Sequence, residues 1–143
     1  MSMTVQDSSA PRQPRPIPNT PNNVLSQFSM AGKVVAITGA SDGIGWAVAE
    51  AMAEAGADVA LWYNSNSAAI EKGKKLAEEH GIRAKAYQVG VTDHEKVREA
   101  VEKVVSDFGK MDCLVANAGA VISKGILETS IEEYRKQMDV NGE

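Results

Sequence analysis

The residues of this chain best suited to holding an anion form one run, Thr38-Gly39-Ala40-Ser41-Asp42-Gly43-Ile44-Gly45. Glycine where a strand ends permits a tight turn. Glycines at the start of a helix bring backbone N–H groups and the positive end of the helix dipole up to an anion, with no Cβ in the way. The chemistry predicted is the cradling of a pyrophosphate; the alternative is a βα turn whose glycines serve packing alone. The glycines run G-x-x-x-G-x-G, which departs from the commoner dinucleotide pattern G-x-G-x-x-G. A second small cluster, Asn117-Ala118-Gly119, follows an apolar run. Asn117 there either faces a ligand groove or bonds its own backbone as a turn residue. The single cysteine, Cys113, has no second thiol for a disulfide or a shared metal, so no metal site is expected and a buried, hydrophobe-like role is predicted for it.

These clusters need elements to position them, and the pattern supplies βαβ units. From Lys33 onward, short β-branched runs alternate with helical periods, the sign of a parallel sheet. The first strand is predicted at 33–38. The helix after it carries Ile44, Ala47, Val48, Ala51, Met52 and Ala55 at spacings of three and four, and Gly56 closes it. A second strand is expected over 58–63, a helix around 68–80 with Ile70, Leu76 and Ala77 inward and Gly81 as its stop, and a third strand over 82–89. Thr92 with Glu95 predicts a capping box for a helix with Val97, Val101, Val104, Val105 and Phe108 on its core face, ended by Gly109. A fourth strand, 111–116, is apolar enough to be covered on both faces. Ser130 with Glu133 opens a last helix. The fold class expected is α/β, a Rossmann-type doubly wound parallel sheet truncated after about four strands.

Composition narrows the partners. With 43% apolar and 24% charged residues in 143, the chain suits one soluble domain. Its net charge of -4 provides no cationic footprint for nucleic acid. No run reaches the roughly 20 apolar residues of a membrane span, and no secretory core is present, so the expected address is cytoplasmic. All five prolines lie between Pro11 and Pro21 among Ser, Gln, Asn and Arg. Residues 1–28 are therefore expected to be a disordered tail, with a transit peptide carrying Arg12 and Arg15 as the competing reading, and residues 29–143 a partial dinucleotide-binding domain.

The Thr38–Gly45 run, together with Asn117-Ala118-Gly119 after the fourth strand, resembles the short-chain dehydrogenase/reductase family over residues 30–143. The segments Leu61-Trp62-Tyr63-Asn64-Ser65 and Val115-Ala116-Asn117-Ala118-Gly119 lean toward its fungal NADP-dependent sugar-alcohol and carbonyl reductases, such as mannitol dehydrogenase and sorbose reductase. The resemblance implies that Gly39, Ser41, Asp42, Gly43, Ile44 and Gly45 cradle cofactor phosphates and that Asn117, Ala118 and Gly119 line the groove. It also implies an NADPH-dependent reduction of a ketose or other carbonyl, with polyol oxidation in reverse, by a homo-oligomer in its full-length form. The alternative is a non-catalytic binding or interaction module.

The dinucleotide is read from the rim of the second strand. An NAD enzyme places a carboxylate at that strand's end. Asp58 lies at the right interval after Gly39 but opens the strand, whereas the far end carries Tyr63, Asn64 and Ser65, neutral donors that do not repel a phosphate. NADP(H) is therefore expected over NAD(H), with Asn64 and Ser65 at the 2'-phosphate, although no cation stands in that loop and Asp42 takes a place where several NADP-preferring relatives carry one. Gly90 replaces an adenine-binding Asp of many family members, leaving adenine to the Val91 backbone. Of the catalytic set the resemblance implies only Asn141, in Met138-Asp139-Val140-Asn141-Gly142. Tyr63, Tyr87 and Tyr134 each lack a lysine four residues on, so the YxxxK pair and its Ser are expected beyond Glu143 and this chain alone is expected to be inactive.

Overall fold

Runs of Val, Ile, Leu and aromatic residues pair side by side because each buries both faces, and helices are needed on both sides to cover them. The computed structural model describes residues 23–125 and 127–142. Its elements are α1 (Val24–Gln27), β1 (Val34–Thr38), α2 (Gly43–Glu54), β2 (Asp58–Tyr63), α3 (Ala68–His80), β3 (Ala84–Gln88), α4 (His94–Phe108), β4 (Cys113–Val115) and α5 (Ile131–Asn141). The four strands form one parallel sheet in the order β3-β2-β1-β4. Val34 stands opposite Asp58, and Val35 opposite Cys113.

Alternation along the strands sorts the core into two layers. Val35, Ile37, Val59 and Leu61 pack with Ala49 and Ala53 of α2 and Ala69 and Leu76 of α3. Val34, Ala36, Ala60 and Trp62 pack with Ala100, Val104 and Phe108 of α4. The C-terminal end of α5 reaches this second face, where Asp139, Val140 and Asn141 share a cavity with Trp62, Val97 and Leu114. The sheet is doubly wound, as expected.

Several details differ from the sequence reading. In α2 the buried positions are Gly45, Ala49 and Ala53, while Ile44 is 78% exposed and Ala47 and Ala51 also face outward. The inward stripe is displaced by one position because this helix touches the sheet so closely that only its smallest side chains fit there. The same holds in α3, where Gly73 faces Leu61 and Ile70 turns outward, and in α4, where Ala100 is buried and Val105 is exposed. Helix α4 is capped by Asp93, whose side chain accepts from Lys96 N at 3.2 Å, and not by Thr92. Gly81 and Gly109 end their helices in the left-handed conformation, and Ser130 and Glu133 form the predicted capping box.

Strand β3 starts later than expected because Asp58 engages Arg83, accepting from its backbone N at 2.7 Å and its Nη2 at 2.6 Å. Strand β4 is shortened to three residues, and Asp112 joins Val34 through its carboxylate at 2.9 Å. Cys113 is exposed rather than buried, since β4 is the outer strand and no described residue covers it. Residues 1–22 of the proline-rich tail lie outside the described residues. The tail's last part is not unstructured: Asn23 accepts from Leu25 N and Ser26 N and caps the single turn α1.

Candidate cofactor-binding site

The chain leaves β1 for α2 on one face of the sheet and reaches β4 through α4 on the other. The loops that follow β1 and β4 therefore leave from neighbouring carboxyl ends at the point where the strand order reverses, which is where a crevice is expected in such a sheet. Thr38 stands at its base. Its Oγ1 accepts from Asn117 N at 2.9 Å and Ala118 N at 2.8 Å, and donates to Val115 O at 3.4 Å. Asn117 Nδ2 donates back to Thr38 O at 2.9 Å. Asn117 is thus no self-bonded turn residue; its amide joins two strands. Thr38, the first residue of the glycine run, is the shared acceptor and was missed as a site residue. Two hydroxyl-bound N–H groups from a distant loop leave no local signal in sequence.

The glycines of the run close this junction. Gly39 has φ +67°, and a Cβ there would lie 3.1 Å from both Ala118 Cα and Asn117 Nδ2. A Cβ on Gly45 would lie 2.5 Å from Asn117 Nδ2 and 2.9 Å from the Gly39 carbonyl carbon, so no larger residue fits. At Gly43 an added Cβ meets nothing within 4 Å, which leaves the start of α2 open for an anion to approach its backbone. Asp42 caps this helix by accepting from Gly43 N at 2.9 Å. That bond, and then the Lys72 cation, hold its carboxyl below the usual aspartate range. Ile44 stands exposed at the same end of the helix, and Ser41 is buried.

A cavity of about 280 Å³ lies alongside, and it brings together Gly39, Asn64, Val91, Ala118 and Gly119 from four separate predicted segments. Lys136 and Val140 of α5 complete its wall, and neither was anticipated. The Asn64 side-chain oxygen would lie 3.7 Å from a Cβ placed on Gly90, so the carboxamide stands beside the position that lacks a side chain. Ser65 is exposed on the loop after β2. Asp58 sits at the opposite rim of the sheet in its ion pair with Arg83.

Asn141 pairs with the backbone of Ala120 in both directions at 2.8 Å, accepting from its N and donating to its O. Its amide thereby fixes α5 to the segment that follows Gly119. Tyr87 donates to Asp107 Oδ2 at 2.8 Å, and burial followed by that carboxylate pushes its hydroxyl well above the ordinary tyrosine range. Such a group resists giving up its proton. Among the described residues no three His, Cys, Asp or Glu side chains gather to hold a metal, and no helix is long and apolar enough to cross a membrane.

Comparison with known proteins bears on this geometry. The short chain dehydrogenase family pattern matches residues 33–143. The chain is 47% identical over 133 residues to the sorbose reductase of Candida albicans, covering 90% of this chain and 47% of that protein. It is 42% identical over 134 residues to an NADP-dependent mannitol dehydrogenase of Hypocrea jecorina, covering 90% and 50%. The NADPH-dependent 3-quinuclidinone reductase of Rhodotorula rubra superposes with a TM-score of 0.83 at 47% identity, covering 90% of this chain and 50% of that one. The chain spans about half the length of the curated relatives it matches. With the glycine turn seated on the Asn117 loop at the sheet's crevice and the family pattern running from β1 to the last residue, the chain belongs to the short chain dehydrogenase family.

Proposed function

We propose that this chain carries the NADP(H)-binding half of a cytoplasmic, homo-oligomeric carbonyl reductase that reduces a ketose or related ketone and oxidises the polyol in reverse. The observation that carries the reading is the junction at Thr38, which holds the glycine turn and the Asn117 loop together as one wall of the crevice. The relatives named above, a sorbose reductase and an NADP-dependent mannitol dehydrogenase, favour the substrate class and the cofactor. The open start of α2 at Gly43 fits a pyrophosphate.

In this reading Gly39, Ser41, Asp42, Gly43, Ile44 and Gly45 surround the phosphates, with backbone N–H groups as donors. Asn64 and Ser65 face the adenosine ribose as neutral donors, and Val91 packs on the adenine. Ala118 and Gly119 form the wall on which the dinucleotide lies, while Asn117 holds that wall to β1. When bound, the nicotinamide supplies or accepts the hydride. Asn141 is a positioning residue: its side chain is committed to Ala120, and its carbonyl, in the last turn of α5 where intrahelical donors run out, is the group able to hold a water. Tyr63 is buried in the core, Tyr87 is held by Asp107 and Tyr134 stands exposed without a partner lysine, so the proton donor is assigned to a longer form of the protein.

Titrating the purified chain with each dinucleotide tests the cofactor. Tighter binding of NADP than of NAD is expected, and the reverse order would overturn the preference. NADPH consumption with a ketone by this chain alone would overturn the assignment of the proton donor. The exposed outer strand β4, with Leu114 46% exposed, favours a second reading in which the chain acts as an interaction module. Dinucleotide binding by a chain that stays monomeric in solution would reject it.

A further inference from the structure

Beside the glycine turn stands a pair of opposite charges contributed by two different elements. Asp42 lies in the turn before α2 with its side chain 83% exposed, so its carboxylate faces whatever approaches the turn. Alone it would repel a second phosphate there, and the loop after β2 offers only Asn64, Ser65, Asn66 and Ser67 against it. Lys72, in the second turn of α3, reaches back across the face of Trp46 at 4.8 Å from the ring centroid. Its Nζ donates to Ser41 O at 2.8 Å and stands 3.6 Å from Asp42 Oδ1. The ammonium is therefore held at the outer edge of the phosphate turn by three groups of β1–α2. Of the three donors an ammonium carries, one is committed to Ser41 and one is weakly shared with Asp42, which leaves a donor for a ligand oxygen.

We propose that Lys72 is the residue that makes this site selective for the dinucleotide bearing a 2'-phosphate, acting from α3 to neutralise Asp42 and to meet the phosphate itself. The proposal rests on the reading of the crevice as an NADP(H) site and deepens it. It also resolves the apparent conflict of an acidic turn in a chain whose relatives are named for NADP: the missing cation is supplied by the next helix. Another lysine, Lys136 of α5, lines the cavity that Gly39, Gly90 and Val140 share.

Calorimetric titration of the purified chain with NADP, NAD and 2',5'-ADP, at low and at physiological salt, tests it. For Lys72→Met the affinity for NADP and for 2',5'-ADP should fall about tenfold or more, while that for NAD stays within about twofold. Asp42→Asn should tighten NADP binding, and the double variant should lie between Lys72→Met and the parent. Lys72→Arg should keep the preference, which guards against a loss caused by misfolding. Equal weakening toward NADP and NAD in Lys72→Met, or no change toward either, overturns the proposal. Failure of the parent chain to bind any of the three ligands is a different result: it removes the reading of the crevice and this assignment with it.

Discussion

The glycine turn with the Asn117 loop and the α5 segment are built by opposite means, although both border the same crevice. The first is close-packed at its base. Thr38 is buried, its hydroxyl is shared by two N–H groups, and Gly45 has no space for one more carbon. The second buries no residue at all, and is tied on by polar contacts: Asn141 with Ala120, Gln137 with Ile122 N at 2.9 Å, and Lys124 with Glu133. The turn therefore holds its shape through its own contacts. Helix α5, with Ile131, Tyr134 and Met138 exposed, depends on a few hydrogen bonds in water, each worth little.

This contrast can be broken most sharply at Gly45. Gly45→Ala forces a Cβ against the Gly39 carbonyl and the Asn117 amide, and should cost about 3 kcal/mol in a urea unfolding curve and abolish dinucleotide binding. Thr38→Val keeps the shape but removes the acceptor from two N–H groups. It should cost about 2 kcal/mol by the same measurement and loosen the Asn117 loop. Asn141→Ala, on the other side of the comparison, should cost about 1 kcal/mol or less. It should raise amide exchange in α5 while the turn keeps its protection. If Asn141→Ala destabilised the chain as much as Gly45→Ala, the two regions would form one cooperative unit and the contrast would fail.

Much of this architecture is legible in the residues because it depends on local rules. The alternation of β-branched runs with helical periods, the glycine stops at Gly81 and Gly109, and the Ser130–Glu133 box all act over a few residues. The rest depends on how closely elements approach. Ile44 looks like a core residue by spacing, yet contact at Gly45 turns it outward. Cys113 looks buried by type, yet its strand has no outer neighbour among the described residues. Thr92 has the pattern of a cap, but Asp93 has the geometry.

The site divides along the same line. Chain order and residue type alone marked out the glycine turn, the loop beginning at Asn117 and the neutral rim at Asn64 and Ser65 as candidates, because an anion cradle needs glycines between a strand and a helix, and the strand ends locate a crevice. Tertiary structure decided that Thr38 joins the turn to the loop, that Asn141 spends its amide on Ala120, and that the cation beside Asp42 comes from Lys72, thirty residues away in sequence. Each of those contacts spans separate elements, and only the packing of α2 and α3 on one face of the sheet, with β4 set beside β1, brings the partners within reach of one another.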